Sequence, residues 1–327
     1  MSFSRYNTED SVISAETVVR GLWSGDQYSL GSFVTASIFT EYYLDVYDGD
    51  PTATGSSVQF DIQYGHIAGS GSVPINTSLP TLGGYTPSRI VYGQYRNLVY
   101  GTETTNFSFD NGTTTAEQIY VINISRACYK QALHPGALNL TLSDGANTIQ
   151  LTDDSNTTSL TRFIGENKVY YIISGSNGNA YTSSAATTYY GVMLPDLGVI
   201  VLDASGSLTG YIAAATLSTA SVQNNHVKLY DAIVAGGVFQ LQSEEVISSR
   251  YFFTRIKNSE FNYTTNPSII DANGNLLYTT LINNPQTYIT TVGMYNDNNE
   301  LMAVAKLSKP LVKDFTKEAL IRIKLDY

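Results

Sequence analysis

Apolar and polar residues alternate along much of the chain, which predicts β-strands joined by polar turns. The alternation is clearest in residues 57–66, where one side of the extended chain carries Val58, Phe60, Ile62 and Tyr64. The last nine residues, ALIRIKLDY, alternate in the same way and predict a half-buried terminal strand. One face of that strand carries Ile321, Ile323, Leu325 and Tyr327. The whole pattern predicts a mainly β fold of two or three antiparallel, sandwich-like β-domains with few short helices.

Further strands are predicted in segments that glycine, proline, asparagine or aspartate residues separate. These segments are residues 33–51, 89–101, 117–124, 168–176 and 189–203. Pro195 interrupts the last of them, which predicts a bent or edge strand. Residues 138–154 predict a hairpin with Asp144-Gly145 as its turn. Short helical turns are predicted within residues 125–133 and 206–217.

Residues 1–30 predict an extended N-terminal arm that contains a short amphipathic helix. Ser14 stands where a helix N-cap would be, and the apolar residues after it have roughly helical spacing. Because such a helix is too short to be stable alone, it must dock on its own domain or on a neighbouring subunit. The candidate docking residues are Val12, Ile13, Val18, Val19, Leu22 and Trp23. We place the other domains at residues 31–115, 116–222 and 223–327, the middle one β-rich and its two neighbours β-domains.

Residues 287–311, TYITTVGMYNDNNELMAVAKLSKPL, predict a second hairpin. Both faces of its strands are largely apolar, so we expect both to be covered by a second sheet or by another subunit. Tyr295 and Met302 are its candidate subunit-interface residues. Lys306, Lys309 and Pro310 are expected to close its exposed end against stray strand pairing.

Charge is sparse and acidic, which disfavours nucleic-acid and membrane partners. Charged residues make up 14% of the chain, and its net charge is −10. Such a chain repels phosphate backbones, so we expect no nucleic-acid binding. The N-terminus has no basic region followed by an apolar core, and no run of about 18 apolar residues predicts a membrane span. We therefore expect a protein that is made in a cytoplasm and stays soluble there.

The residues that usually carry chemistry are dispersed. His66, His134 and His226 lie in no metal-binding spacing, and no phosphate-binding loop or nucleophile elbow is present. The single cysteine, Cys128, is expected to be a small buried residue on a strand. We predict no enzymatic activity, no catalytic residues, no cofactor and no metal site.

Two other kinds of site remain open. Asp153 with Asp154, and Glu244 with Glu245, are adjacent carboxylates that point to opposite faces of a strand, although folding could bring distant acids together as a glycosidase needs. The acidic turns DVYDGD (45–50) and YNDNNE (295–300) have oxygen ligands for a cation, but turn chemistry accounts for the same residues.

The 25 tyrosines suit either a sugar-binding surface or a subunit interface. Adjacent tyrosines occur in TEYYLDVY, KVYYI and TTYYG. On a strand they point to opposite faces, so we expect one ring of each pair to be buried and the other to lie nearer solvent or a partner.

The segment QTYITTVGMYNDNNELMAVAKLSKPLVKDFTKEALIRIKLDY (286–327) resembles a C-terminal module of virion structural proteins from contractile-tailed, T4-like bacteriophages, including marine cyanophages. The shared pattern is a strand reading I-T-x-V-G-L-Y, an Asn/Asp turn and then E-L-x-A-V-A-K-x-x-x-P, with Met294 here where leucine is usual. Residues 89–101, 119–136 and 248–268 are similar to further segments of the same proteins.

The resemblance implies a structural component of a tailed-phage virion that assembles through subunit interfaces into the tail or baseplate. It implies partners among other virion proteins and copies of the same chain, and a location in the virion after assembly in the host bacterial cytoplasm. A head, neck or tail-fibre-associated virion protein is the alternative, as is a receptor-binding module that recognises a host glycan. No catalytic residues come with the resemblance.

Overall fold

The structure of the protein is a computed structural model that describes residues 5, 7–35, 43–74, 86–109, 115–158, 162–221, 223–263 and 266–326. Tyr42 and Tyr327, which the sequence patterns above include, lie outside these residues. Strands make up 43% and helices 12% of the structure, so the prediction of a mainly β fold is confirmed.

The strands range from 2 to 15 residues and the α-helices from 4 to 14 residues in the described part of the chain. The strands are β1 (Ser11–Gly21), β2 (Val34–Thr35), β3 (Tyr43–Tyr47), β4 (Val58–His66), β5 (Gln118–Ile124), β6 (Ala132–Leu133), β7 (Asn139–Ser143), β8 (Thr148–Asp153), β9 (Arg162–Ile164), β10 (Asn167–Ser176), β11 (Asn179–Ala180), β12 (Gly191–Leu194), β13 (Val199–Asp203), β14 (Phe239–Gln240), β15 (Gln242–Ile256), β16 (Thr287–Tyr295), β17 (Leu301–Lys313) and β18 (Ala319–Asp326). The helices of the described residues are α1 (Pro87–Tyr100), α2 (Asn225–Gly236) and α3 (Thr280–Asn283).

The chain forms two compact units. The terminal unit consists of residues 1–16 and 246–327, and the central unit consists of residues 17–245. The domain boundaries predicted after residues 30, 115 and 222 fall inside the central unit.

The central unit is built on one large antiparallel sheet. Its strands follow the order β14-β7-β8-β10-β12-β13-β5-β4-β3-β2, while β9 and β11 pair with β10. Six strands separate β14 from β4, yet the rings of Phe239 and Phe60 are 5.1 Å apart. The sheet therefore curls around its core, in a sandwich-like arrangement.

Both faces of this sheet are covered. On the inner face, Leu229, Ala232 and Ile233 of α2 join the apolar residues of the sheet in one core. On the opposite face, α1 contributes Val91, Tyr92, Tyr95 and Val99 to a second core. Because both faces are buried, β5 and β13 read as almost continuous apolar runs in the sequence.

The terminal unit contains a three-strand arrangement and a separate hairpin. β15 lies between β1 and β18, and Ser249–Ile256 pair antiparallel with Ala319–Asp326. β16 and β17 pair only with each other among the described strands. The apolar side chains that are buried in the described part of this unit are Phe252, Ile256 and Ile321.

The predicted helix near the N-terminus is wrong, because residues 11–21 form β1. Ser14 is an exposed strand residue, and pairing with β15 replaces the helical turns. The sequence there is rich in valine, isoleucine and threonine, which favour strands.

The strand predicted at residues 89–101 is also wrong, because this segment lies in α1. Pro87 stands at the start of the helix and Gly101 ends it in the left-handed region at φ 67°. Val91, Tyr95 and Val99 recur every four residues and form the buried stripe of the helix.

Four smaller predictions also fail. Residues 206–217 form turns and irregular structure, since Gly210 has φ +100°, which a helix does not allow. Residues 125–133 form a turn and β6, and Cys128 lies half-buried in that turn and not on a strand. Pro195 lies in the turn between β12 and β13, which are inner strands of the large sheet. The hairpin predicted at residues 138–154 is confirmed as β7 and β8.

Candidate interaction surface

The hairpin of β16 and β17 carries the main candidate surface. Opposite residues of the two strands include Gly293 with Val304 and Tyr295 with Leu301. A side chain at position 293 would come within 3.0 Å of the Tyr295 ring and 3.3 Å of Leu301 Cδ1. Glycine at this position therefore lets the tyrosine ring and the leucine lie together over the backbone.

Large apolar side chains at the turn end of the hairpin are exposed. The exposed fractions are 41% for Tyr295, 53% for Leu301, 68% for Met302 and 57% for Val304. We call these four residues the apolar hairpin face. Tyr295, Leu301 and Val304 share the side of the hairpin that carries Gly293, and Met302 lies at the register shift beside Tyr295. Contiguous exposed apolar side chains of this kind mark interaction sites.

The described part of the terminal unit does not supply the second sheet that was expected to cover the hairpin. No side chain in residues 287–312, all of which the structure describes, is buried. No sheet in the described part of the terminal unit is therefore the expected cover, and a covering neighbouring subunit stays a prediction.

Lys309 and Pro310 lie in a bulge of β17. Ile289 pairs with Leu311 and Thr291 pairs with Lys306, so residues 307–310 stand opposite Thr290. Proline lacks an N–H group and is tolerated in such a bulge. The prediction that Lys306, Lys309 and Pro310 close the end of the hairpin is therefore wrong, since Lys306 pairs with Thr291 and β17 continues to Lys313.

Charge is distributed asymmetrically along the hairpin. Asp297 and Glu300 lie in the turn, whereas Lys306 and Lys309 lie on β17. None of these four residues forms an ion pair with a described residue. Asn296 holds the turn, since its Oδ1 accepts the N–H groups of Asn298 and Glu300 at 3.0 and 2.8 Å.

A buried lysine anchors the far end of the hairpin. Lys313 Nζ donates hydrogen bonds to Asn258 O at 2.9 Å, to Asn262 Oδ1 at 2.8 Å and to Asp314 O at 2.8 Å. An ammonium group has three donors, so all of them are used. Hydrogen bonds from Thr316 lower the pKa of the neighbouring Asp314 to about 2, with Lys317 adding to the effect.

The six N-terminal candidate residues divide into three groups. Val12 and Ile13 are exposed on β1 in the terminal unit. Val18 and Val19 are half-buried in the central unit. Leu22 and Trp23 are buried in the core of the central unit, where the Trp23 ring lies 5.0 Å from that of Phe239.

Leu22 and Trp23 must therefore be removed from the set of candidate interface residues. They stabilise their own unit, as the first of the two docking alternatives predicts. The remaining exposed candidates, Val12, Ile13, Tyr295 and Met302, all belong to the terminal unit.

The adjacent carboxylates have separate structural partners. Asp153 accepts hydrogen bonds from the N–H groups of Gly136 and Ser155 at 2.9 and 3.1 Å, and burial raises its pKa.

Asp154 pairs with Arg162 and accepts a hydrogen bond from the N–H group of Tyr171 at 3.0 Å. Glu244 lies 2.8 Å from His134 Nδ1. Asp153 and Asp154 therefore have different partners, and Asp154 follows the end of β8 at Asp153.

The surroundings of His66 and His226 indicate structural roles. His66 Nδ1 accepts the N–H group of Ala68 at 3.0 Å, and burial lowers the pKa of its imidazole. His226 is buried in the first turn of α2. Across the described residues, no group of three histidine, cysteine or acidic side chains could hold a metal ion.

Carboxylates of the acidic turn at residues 45–50 accept hydrogen bonds from nearby backbone N–H groups. Asp48 Oδ1 accepts the N–H group of Ser57 at 2.9 Å, and Asp50 Oδ1 accepts that of Thr52 at 2.8 Å. These bonds account for the acidic residues by turn chemistry.

The paired tyrosines lie between two cores. Tyr170 and Tyr190 pack against the inner core, and Tyr171 and Tyr189 pack against the core under α1. All four are half-buried, so the expected contrast between one buried and one exposed ring is wrong. The reason is that both faces of the central sheet are covered.

One polar cluster was missed by sequence reasoning. Asp61 on β4 stands opposite Asp45 on β3 and opposite Asn123 on β5. Its carboxylate accepts hydrogen bonds from Gln63 Nε2 at 2.8 Å and from Asn123 Nδ2 at 2.9 Å. Burial, with a smaller effect of the Asp45 charge, raises the pKa of Asp61. Alternation places Asp61 and Gln63 on the polar side of β4, but only the strand order reveals Asp45 and Asn123.

No protein-family model, curated protein or solved structure matches this chain. None of the described helices is long and apolar enough to cross a membrane.

Proposed function

We propose that the protein is a structural component of a tailed-phage virion, held in the tail or baseplate by contacts between subunits. The observation that carries the proposal is the contrast within the terminal unit. Its described part buries three apolar side chains, while Val12, Ile13 and the apolar hairpin face are exposed. An apolar surface of this kind is stabilised when another protein covers it.

The sparse charge of the chain and the resemblance of residues 286–327 to virion proteins support the same proposal. Interfaces between permanently associated subunits are poor in charged residues at their centres. The resemblance directs the proposal to a phage particle and, within it, to the tail or baseplate before the head, neck or fibres. The proposal gives the protein no catalytic role, and it places assembly in the host cytoplasm.

The direct test is mass spectrometry of purified particles from an infection in which the chain is expressed. The proposal predicts the chain in the particles at a fixed ratio to the major tail proteins. If the chain is expressed but absent from purified particles, the proposal is wrong. Binding to host surface polysaccharide without incorporation would favour a glycan-binding module.

A variant identifies the unit responsible for incorporation. Val12→Ser with Ile13→Ser should reduce incorporation about tenfold, because it removes exposed apolar side chains of the terminal unit. Deleting residues 1–30 is not a suitable test, since Leu22 and Trp23 belong to the core of the central unit. Phe163→Ser is the matched control, because Phe163 is a similarly exposed apolar residue of the central unit.

A further inference from the structure

We infer that the apolar hairpin face binds a second copy of the same chain, with the two β17 strands antiparallel. The inference rests on the proposed function and deepens it by naming the partner. It depends on the order of charges along the hairpin and on the position of the apolar side chains between them.

Four of the five charged residues of the hairpin are symmetric about Ala303 in sequence position and opposite in sign, and the fifth, Lys313, is buried. Glu300 lies three residues before Ala303 and Lys306 lies three residues after it. Asp297 and Lys309 lie six residues before and after the same position. A second β17 strand that runs in the opposite direction therefore presents Lys306 to Glu300 and Glu300 to Lys306, whereas Asp297 lies in the turn and Lys309 in the bulge, outside the regular part of the strand.

Such a surface is complementary to itself under two-fold symmetry. In a two-fold dimer each patch meets the same patch on the other copy, so a surface with one charge sign at its rim would repel itself. Here Glu300 and Lys306 are six residues apart along the strand, which separates them by about 20 Å because a strand rises about 3.3 Å per residue. Two equivalent Glu300–Lys306 pairs fit at opposite ends of the contact.

The apolar residues occupy the centre of this arrangement. Leu301, Met302 and Val304 lie between Glu300 and Lys306 in the sequence, and Tyr295 lies beside Leu301. An apolar centre with a charged rim is the usual composition of a protein interface. None of the four charged residues forms an ion pair with a described residue, and Glu300 Oε2 accepts a hydrogen bond from Asn296 Nδ2 at 2.6 Å.

The contact is small, so the dimer of the isolated chain should be weak. A stable interface covers about 800 Å² on each partner, and one hairpin face offers less. We expect a dissociation constant on the order of 10 µM. Neighbouring virion proteins would strengthen the contact in the particle by holding the copies close together.

Sedimentation equilibrium of the full chain, between about 1 and 200 µM, tests the inference. Lys306→Glu or Glu300→Lys alone should raise the dissociation constant about tenfold, because each places like charges opposite each other twice in the dimer. The double variant should return to within about threefold of the natural chain, since it restores both pairs.

Leu301→Asp should raise the dissociation constant about thirtyfold by placing a carboxylate in the apolar centre. Leu217→Asp is the matched control, because Leu217 is 47% exposed in the central unit and Leu301 is 53% exposed. The control should leave the dissociation constant unchanged.

The inference is overturned if the chain is monomeric throughout the range, if the dimer survives Leu301→Asp, or if the double charge reversal does not restore association. A chain that is present in purified particles but monomeric in sedimentation would overturn this inference and leave the proposed function standing. Absence from particles, with a dimer that follows the predicted pattern, would overturn the proposed function alone.

Discussion

Lys313 gives the terminal unit a polar anchor where apolar residues are few. Its ammonium group is buried and uses all three donors on Asn258, Asn262 and Asp314. Lys313→Met should lower the free energy of unfolding of this unit by about 3 kcal/mol, because three buried acceptors lose their donor. Denaturant titration measures the change. Lys309→Met, at an exposed position of the same strand, should change stability by less than about 0.5 kcal/mol. Equal effects of the two substitutions would contradict the assigned role of Lys313.

Asp61 should make the central unit less stable as pH rises. Burial raises the pKa of Asp61, so the folded protein favours the protonated acid more than the unfolded chain does. The resulting stabilisation is present below the unfolded pKa and is lost as pH rises through the folded pKa. Asp61→Asn should therefore stabilise the protein at pH 7 and flatten the pH dependence of its melting temperature.

Asp144→Asn is the control, because its expected effect on stability at pH 7 has the opposite sign. N–H groups of Asn147 and Ala146 lower the pKa of Asp144, so this carboxylate stabilises the fold above its unfolded pKa and loses the effect as pH falls through the folded pKa. The substitution should destabilise the protein at pH 7 and have little effect in acid. Melting curves between about pH 3 and pH 8 compare the two variants. A lower melting temperature of Asp61→Asn at pH 7 would contradict the account of Asp61.

At the scale of elements, the packing of α1 on β4 depends on Gly65. A side chain at this position would come within 2.9 Å of Ile119 Cγ1 and 3.0 Å of the Tyr92 backbone nitrogen. Gly65→Val should therefore cost about 3 kcal/mol of stability by forcing the helix away from the sheet. Gly93→Ala, inside α1 where nothing lies within 4 Å, should instead stabilise the protein by about 0.5–1 kcal/mol. Chemical denaturation measures both, and a tolerated valine at position 65 would show that the contact is loose.

The sequence predicted an element correctly where its local pattern indicated only one type of structure. The strict alternation of β4 and the Asp144-Gly145 turn both specify their structure with neighbouring residues alone. Two elements, α1 and β1, were assigned wrongly because each segment has features of both a helix and a strand. Residues 89–101 contain strand-favouring tyrosine and valine, but the four-residue spacing of Val91, Tyr95 and Val99 prevails. In β1, the helical spacing of apolar residues is overridden by pairing with β15, which is more than 200 residues away in sequence.

The candidate surface was predictable in part, for a physical reason. The apolar character of residues 287–311 is visible in the sequence, and so are Tyr295 and Met302. Whether the same chain covers them is a question of tertiary structure, which alternation does not answer. The anchor at Lys313 was invisible because Asn258 and Asn262 reach it from more than 50 residues earlier.

At the scale of the whole molecule, the two units should differ in local stability. The central unit has an extensive core on each face of its sheet, whereas the described part of the terminal unit buries three apolar side chains. Backbone amides of β16 and β17 should therefore exchange with solvent about 100-fold faster than those of β5 and β13. Hydrogen-exchange mass spectrometry at low protein concentration measures the ratio. Equal protection in both units would show that the terminal unit is stable without a partner.

The central claim is that the exposed apolar residues of the terminal unit are covered by neighbouring subunits in a phage particle. A density map of the intact particle at side-chain resolution tests this claim most directly. The account predicts the chain in regular copies, with Tyr295, Leu301 and Val304 covered by protein density from a neighbouring subunit. A map in which the chain is absent, or in which these three side chains face solvent, would contradict it.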